Sequence, residues 1–291
     1  MNEIRVEDVI TKAIELLDKP RKQSVIEVTF GRLEKVVDQP LRDCRARVAY
    51  LVACYNRVHL LERFLASFSQ SIPQEGDVFF LNDASDDPRV EEMLQGFNVE
   101  GLKKHVLHVD RGEKVVFLSS YKKMPSARAY NQLFKAALEV HEQTPFDFLT
   151  ILDPDALMRP MWSQKLILTY RDAVKYHPEI GLFSAFNNEN HPIYECKDSN
   201  VVFAGPVGKY RLRNGVNLQF MLTPEFFKGH HGFYEYEHSY STKSSDLPKN
   251  EMLAAKGFKS MILVPSMLQH MGAYDSALPR RRSNELAGDF I

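Results

Sequence analysis

The hydrophobic and polar positions of the chain fall into alternating blocks. Short apolar runs that end abruptly in polar residues predict strands at Val48–Tyr55, Asp77–Leu81, Lys104–Val109 and Phe148–Leu152. Between the strands lie longer segments with apolar residues at helical spacing, of which Pro125–Glu139 is the clearest. Strands that alternate with helices predict an α/β fold, namely an open, mainly parallel twisted sheet with helices on both faces.

Polar side chains follow three of the predicted strands at the point where each strand ends. Asn56 and Arg57 follow the first strand, Asp83 follows the second, and Asp153 and Asp155 follow the fourth. The carboxyl ends of parallel strands meet at one edge of a sheet, and open α/β sheets bind their ligands at that edge. We therefore expect these side chains to lie close together.

Asp153 and Asp155 are separated only by Pro154, which ends the strand because proline has no N–H to give to a central ladder. Two neighbouring carboxylates repel each other unless a cation lies beside them. Oxygen ligands suit Mg²⁺ or Mn²⁺, so the pair predicts a metal site. The alternative is a strand-to-helix turn in which Asp155 caps the following helix.

Composition argues against several classes of partner. The 37 basic and 38 acidic residues give a net charge of −1, which provides no general attraction to nucleic acid or to an anionic membrane. The chain has neither a glycine-rich dinucleotide motif nor a P-loop. No apolar run approaches the ~20 residues of a membrane span, and the first residues do not have the pattern of a signal peptide. We therefore expect a cytoplasmic protein, either free or peripheral to a membrane.

The three cysteines, Cys44, Cys54 and Cys196, are widely spaced. No pair of them has the spacing of a metal knuckle or of a redox motif. Reduced thiols are therefore predicted at all three positions.

Four segments carry a resemblance to a known family: VACYNRVHLLERFLASF, VFFLNDASDD, SARAYNQLFKAAL and FLTILDPDALMRPMW. They are similar to segments of the inverting nucleotide-sugar glycosyltransferases of the family 2 type, which have the GT-A fold. In that family one strand ends in Thr-Tyr-Asn-Arg, a second in Asp-Asp-x-Ser and a fourth in Asp-x-Asp, and a helix carries Ala-x-Asn near its start. Further along, GVNLQFMLTPEFFKGHHGFYEYE resembles the segment leading to the acceptor side, and SSDLPKNEMLAAKGFKSMILVPSMLQH resembles the Glu-Asp helix with its following strand and histidine. The resemblance covers about residues 48–272.

The resemblance implies a role for each matching residue. Asp155 and His270 would hold the metal ion, Mn²⁺ or Mg²⁺, and Asp246 would be the catalytic base. Ser245 stands where the family has the first acid of its Glu-Asp pair. Asp83 would bind the nucleotide base, although it could instead stabilise an Asx turn. The residues implied in binding the nucleotide sugar are Tyr55, Asn56, Arg57, Asp83, Arg128, Asn131 and Asp153.

Aromatic residues are candidates for the acceptor side because aromatic faces stack on sugar rings. The candidates are Trp162, Phe233 and Tyr234, and ordinary core packing is the alternative for each. Two further alternatives remain open: Asp246 could simply cap its helix, and His270 could be an ordinary partly buried histidine.

The chain is expected to have four parts. Residues 1–46 would form an N-terminal extension packed on the core, with a helix at Val6–Leu17. Residues 47–165 would form the nucleotide-sugar-binding half, and residues 166–272 the acceptor-binding and catalytic half. Residues 273–291 would be a C-terminal tail that is either mobile over the diphosphate or simply solvated.

The implied function is metal-dependent transfer of a sugar from a nucleoside-diphosphate sugar, with a UDP-sugar favoured, to an acceptor hydroxyl with inversion. The acceptor would be a glycan, a lipid-linked sugar, a protein or a small molecule. A sugar nucleotidylyltransferase is one alternative, but it would carry a loop rich in glycine and arginine that VACYNRVHLL lacks. A non-catalytic nucleotide-sugar or carbohydrate-binding relative is the other, and it would not need to keep Asp153, Asp155, Asp246 and His270 together.

Overall fold

A computed structural model describes residues 41, 43–71, 73–109, 126–187, 201–216, 219–230 and 246–271. The side chains of residues 126–128 and 246–248 lie outside this description. The chain divides into two units, Met1–Asp43 and Cys44–Ile291, and the fold below is that of the second. The predicted N-terminal helix and the predicted tail both lie outside the described residues.

Helices follow strands through most of the described chain. In chain order the elements are β1 (Val48–Cys54), α1 (Val58–Gln70), β2 (Gly76–Asn82), α2 (Pro88–Gly96), β3 (Leu102–His108), α3 (Ser126–Gln143), β4 (Phe148–Leu152), β5 (Ala156–Met158), α4 (Trp162–Ala173), β6 (Ile180–Ser184), β7 (Phe203–Ala204), β8 (Lys209–Arg213), β9 (Met221–Leu222), α5 (Pro224–Gly229), α6 (Asp246–Ala255), β10 (Lys259–Val264) and β11 (Leu268–His270).

One large sheet, in the order β3-β2-β1-β4-β9-β6-β10-β8-β7, organises the described residues. β1 pairs in parallel with β2 and β4, β2 pairs in parallel with β3, and β10 pairs in parallel with β6. β9 runs antiparallel between β4 and β6, and β8 is antiparallel to β10 and to β7. The predicted fold class, an open α/β sheet with helices on both faces, is confirmed, and the sheet is mixed, with parallel strands at its core.

The alternating directions of the β1 side chains explain why helices cover both faces of the sheet. Tyr50 belongs to one hydrophobic core, where Phe64 and Phe68 of α1 also lie. Leu51 belongs to the other core, together with Phe134 of α3. Complete burial of one such large side chain stabilises the fold by about 1.5–3 kcal/mol, so an all-apolar strand is stable only in the middle of three layers.

The two cysteines in the described residues, Cys44 and Cys54, are buried and free. Burial raises the pKa of both thiols above the usual value. They agree with the predicted reduced thiols, and Cys196 lies outside the described residues. No helix in the described part of the chain combines the length and hydropathy of a bilayer span.

Candidate functional site

Asp153, Asp155 and His270 are brought together by a tight turn and a small two-stranded sheet. β4 ends at Leu152, and the following turn is closed by the Ala156 N–H, which donates to the Asp153 carbonyl at 3.1 Å. β5 then pairs antiparallel with β11, and the pairing places His270 opposite Ala156. The N–H of Met271 donates to the Asp155 carbonyl at 2.8 Å, so His270 is held beside both aspartates.

The three side chains form a compact polar group. His270 Nε2 lies 3.1 Å from Asp155 Oδ1 and 3.8 Å from Asp153 Oδ2. Each aspartate is only 6% exposed. One ligand atom from each residue lies within 4.8 Å of the others. Within the described part of the chain, this group has the residue types and spacing to hold a metal ion.

The distances from His270 to the two carboxylates are those of ligands around one divalent cation. Two ligands at right angles around an ion, with bonds of about 2.1 Å, lie roughly 3 Å apart, and opposite ligands lie about 4.2 Å apart. The two distances from His270 fall within this interval. Asp155 Oδ1 is buried and accepts no hydrogen bond of ordinary geometry among the described residues, although His270 Nε2 is close. A buried carboxylate oxygen that faces an imidazole without a hydrogen bond is well suited to binding a cation.

The other oxygen of each carboxylate is held by a hydrogen bond. The Tyr130 hydroxyl on α3 donates to Asp153 Oδ1 at 3.0 Å. Arg57 Nη1, from the loop after β1, donates to Asp155 Oδ2 at 3.2 Å. Side chains from three neighbouring elements therefore meet the turn after β4.

The loops after β1 and β2 are joined by hydrogen bonds. Asn56 N–H donates to Ser85 Oγ at 2.9 Å, and Asn56 Oδ1 accepts from the Asp86 N–H at 2.9 Å. Asn56, Arg57 and Ala84 all have a left-handed φ of about 50°. Residues other than glycine adopt this conformation rarely, and such positions cluster at functional sites.

An open cleft of about 650 Å³ lies at these two loops. Its lining residues are Asn56, Arg57, Asp86, Asp87, Pro88 and Arg89. Arg57 belongs both to this cleft and to the ion pair with Asp155. The cleft is therefore adjacent to the candidate metal site.

Comparison with known proteins gives matches among solved structures. No protein-family model matches the chain, and no curated protein does. TarS residues 1–349 from S. aureus are 13% identical with a TM-score of 0.46, over 76% of this chain and 59% of that one. TarS in complex with UDP-GlcNAc is 14% identical with a TM-score of 0.47, over 76% and 57%. The mannosyltransferase PcManGT from Pyrobaculum calidifontis, in complex with GDP-Man and Mn²⁺, is 15% identical with a TM-score of 0.44, over 80% and 64%.

The chain shares 13–15% sequence identity with these solved structures. It spans between 57% and 64% of the length of these solved chains. Because the TM-scores lie below 0.5, the similarity supports no statement about the reaction of this chain.

The structure places most of the predicted donor-binding residues around one edge of the sheet. Asp83, directly after β2, is 2% exposed, and its N–H donates to the Cys54 carbonyl at 2.8 Å. Tyr55 is half-buried at the end of β1. Asn131 is half-buried on α3, next to Tyr130. The Asn56 side chain joins two loops, as described above, and the side chain of Arg128 lies outside the described residues.

Of the three acceptor-side candidates, Trp162 lies within the described residues. Trp162 begins α4, is 1% exposed and packs in the core with its ring centroid 6.3 Å from that of Tyr50. This placement agrees with the core-packing alternative for Trp162. Phe233 and Tyr234 lie outside the described residues. Helix α6 begins at Asp246, whose side chain also lies outside the description.

Tyr130, one residue of the site, lies within the helix predicted at Pro125–Glu139, whose apolar residues at helical spacing predict a buried face. That packing is confirmed, because Tyr130 is 3% exposed and lies in a core cluster. Its hydroxyl nevertheless reaches Asp153. The available signal was the residue type, since a buried tyrosine usually needs a partner for its hydroxyl.

Proposed function

We propose that the chain is a metal-dependent glycosyltransferase that moves a sugar from a nucleoside-diphosphate sugar, with a UDP-sugar favoured, to an acceptor hydroxyl with inversion. The observation that carries the proposal is the buried group of Asp153, Asp155 and His270 at the carboxyl edge of the sheet. Two aspartates and a histidine provide the oxygen and nitrogen ligands that Mn²⁺ accepts. The resemblance of the surrounding motifs to family 2 glycosyltransferases adds independent support.

The donor would occupy the loops next to this group. The cleft has a volume in the range of small-ligand sites. Its position favours a nucleoside at the ends of β1 and β2, bound by Tyr55, Asn56 and Asp83, with the diphosphate directed towards Asp155. Arg57 supports this direction because it lines the cleft and also contacts Asp155. Arg128 and Asn131, at the start of α3, would contribute from the other side.

Each site residue would then have a distinct task. Asp155 and His270 would hold the ion, and Asp153 would orient the sugar or the ribose. The Asp153 Oδ2 atom, which lies 3.8 Å from His270 Nε2, would also contribute to the ligand set of the ion. The bound cation would stabilise the charge that develops on the β-phosphate as the nucleoside diphosphate leaves. The low exposure of both aspartates keeps water away, which strengthens each electrostatic contact.

Asp246 would act as the base at the start of α6. An acceptor hydroxyl is a weak nucleophile, and a carboxylate within hydrogen-bond reach can take its proton as the bond to the anomeric carbon forms. Attack opposite the leaving diphosphate inverts the anomeric configuration. The proton moves from the hydroxyl to Asp246, and the nucleoside diphosphate leaves with the electrons of the broken glycosyl–phosphate bond.

Calorimetric titration with UDP, GDP and other nucleoside diphosphates, with and without Mn²⁺, tests the proposal. We expect wild-type binding that depends on Mn²⁺, and a loss of more than about 100-fold in Asp155→Ala, because a metal ligand matters at least as much as the groups that orient it. Asp246→Asn should bind normally but release UDP from its preferred nucleotide sugar about 10²–10⁴ times more slowly.

Glu142→Gln provides the matched control, because Glu142 is an exposed carboxylate near the end of α3, about 18 Å along the helix from Tyr130. It should leave both binding and turnover unchanged. Wild-type protein that binds no nucleoside diphosphate in the presence of Mn²⁺ would contradict the proposal. Normal turnover by Asp246→Asn would remove only the assignment of the base.

A further inference from the structure

The two aspartates of the candidate metal site share one pattern of contacts. In each carboxylate, one oxygen accepts a hydrogen bond from a neighbouring element: Asp153 Oδ1 from Tyr130 and Asp155 Oδ2 from Arg57. The second oxygen of each carboxylate is the one nearer to His270 Nε2. Each side chain therefore has an outer oxygen that is held and an inner oxygen that is directed at the histidine.

We propose that Tyr130 is a positioning residue for the metal site, which fixes Asp153 so that its inner oxygen is directed at a divalent cation. This inference depends on the proposed function. It goes further because the resemblance gives Tyr130 no role, and the sequence pattern assigns it only to the core.

A carboxylate needs such a partner because the torsion at the end of an aspartate side chain has a broad, roughly two-fold energy profile. Without a hydrogen bond, the two oxygens of Asp153 could exchange places or tilt away from the ion. The Tyr130 hydroxyl limits this freedom by donating to Oδ1 at 3.0 Å, and Oδ2 lies 3.8 Å from His270 Nε2. Outer partners of this kind orient metal ligands in many sites.

The position of Tyr130 is itself fixed by packing. Its ring is 3% exposed and lies in the core beneath α3, together with Leu133 and Phe134 of the same helix. α3 packs on β1, and β1 pairs with β4, the strand that precedes Asp153. This packing fixes the Tyr130 hydroxyl relative to the turn that carries Asp153. A rigid donor costs little entropy when the site is formed.

Tyr130 also allows a cleaner test than Arg57. Replacing Arg57 would remove a positive charge from the site, and this change alone would strengthen the attraction of a cation while the loss of orientation would weaken binding. Tyr130→Phe removes only a hydroxyl and leaves the charge and the ring unchanged. Any change in metal affinity then reports the orientation of Asp153.

Tyr50→Phe is a matched control elsewhere in the molecule. Tyr50 is also fully buried, and its hydroxyl donates to the Gln74 carbonyl at 3.2 Å in a different part of the fold. Both variants should lower the midpoint of thermal unfolding to a small extent, because each loses the hydrogen bonding of one buried hydroxyl. Only Tyr130→Phe should alter metal binding.

The experiment is Mn²⁺ titration of wild type, Tyr130→Phe, Tyr50→Phe and Asp155→Ala by calorimetry, with and without saturating UDP. We expect Tyr130→Phe to bind Mn²⁺ about 10–100-fold more weakly than wild type, and Tyr50→Phe to bind it normally. If wild type binds Mn²⁺, Asp155→Ala does not, and Tyr130→Phe matches wild type, the role of Tyr130 is wrong and the proposed function stands. Wild type that binds no Mn²⁺ under either condition would overturn both.

Discussion

Two clusters of the same residue types lie at opposite ends of the central strands. The amino-end cluster consists of Arg47, Asp77 and His105, where Arg47 precedes β1 and Asp77 lies near the start of β2. The carboxyl-end cluster consists of Arg57, Asp155 and His270, with Asp153 beside them. Asp77 and Asp83, at opposite ends of β2, are six positions apart in the sequence, a distance of about 20 Å at the rise of a strand.

The amino-end cluster uses both carboxylate oxygens of its aspartate. Arg47 Nη2 donates to Asp77 Oδ1, and His105 Nε2 lies 2.7 Å from Asp77 Oδ2 in hydrogen-bond geometry. The surrounding residues hold the partners as well: His105 stacks on Phe79 with centroids 4.4 Å apart, and the Arg47 guanidinium lies 4.5 Å from the Phe146 ring. Asp77 is completely buried, and each of its two carboxylate oxygens has a hydrogen-bond partner.

The carboxyl-end cluster has similar residues but a different arrangement. One oxygen of Asp155 is paired with Arg57, whereas the other faces His270 at 3.1 Å without a hydrogen bond. A second buried carboxylate, Asp153, adds to the negative charge. A cluster in which every carboxylate oxygen has a hydrogen-bond partner can only stabilise the fold. A cluster with a carboxylate oxygen that accepts no hydrogen bond can still bind a ligand.

The largest expected difference between the two clusters is in their contribution to the free energy of unfolding. Asp77→Ala should lower the free energy of unfolding by about 3–5 kcal/mol, because removing one partner leaves the others buried without compensation. The loss should lie near the lower value, since the side chains of Arg47 and His105 are 28% and 21% exposed. Urea unfolding measures it. Lys175→Ala is the control, because it breaks an exposed pair with Asp172 and should cost less than about 1 kcal/mol. An equal loss in the two variants would contradict a stabilising role for the amino-end cluster.

A smaller difference between the two clusters is expected in how Mn²⁺ changes the stability of their variants. At a Mn²⁺ concentration 100 times its Kd, the wild-type protein should gain about 2.7 kcal/mol in the free energy of unfolding. His105→Ala should gain a similar amount, because the amino-end cluster takes no part in binding, whereas Asp155→Asn should gain almost none. Thermal unfolding with Mn²⁺ and with EDTA measures the difference. Equal stabilisation of Asp155→Asn would mean that Mn²⁺ binds elsewhere.

The central strands of the sheet can be predicted from the sequence because each is a short apolar run that ends in polar residues. The continuous apolar run of β4, buried at every position, and the polar residues after it can be identified without any tertiary information. The short pairing of β5 with β11 could not be predicted, because three residues are too few for a period to show. That pairing nevertheless decides where His270 lies.

The two clusters differ in how far a sequence can predict them. Asp153 and Asp155 are predicted as a metal site from their position directly after an apolar strand, and His270 is added by the resemblance. Arg47, Asp77 and His105 form no local pattern, and their contacts join residues 28 and 30 positions apart. Only the parallel register of β1, β2 and β3 brings them together.

The smallest expected effect is Asp155→Asn without metal, measured by urea unfolding in EDTA. We expect a free energy of unfolding within about 1 kcal/mol of wild type, because the lost ion pair uses an Arg57 side chain that is 35% exposed. The change also relieves repulsion between two neighbouring carboxylates, which offsets part of the loss. Asp77→Asn is the matched substitution in the amino-end cluster and should cost more, since Asp77 is completely buried between two donors. A loss of about 3 kcal/mol in Asp155→Asn would mean that Asp155, like Asp77, mainly stabilises the fold. The two clusters would then not differ in their contribution to the free energy of unfolding.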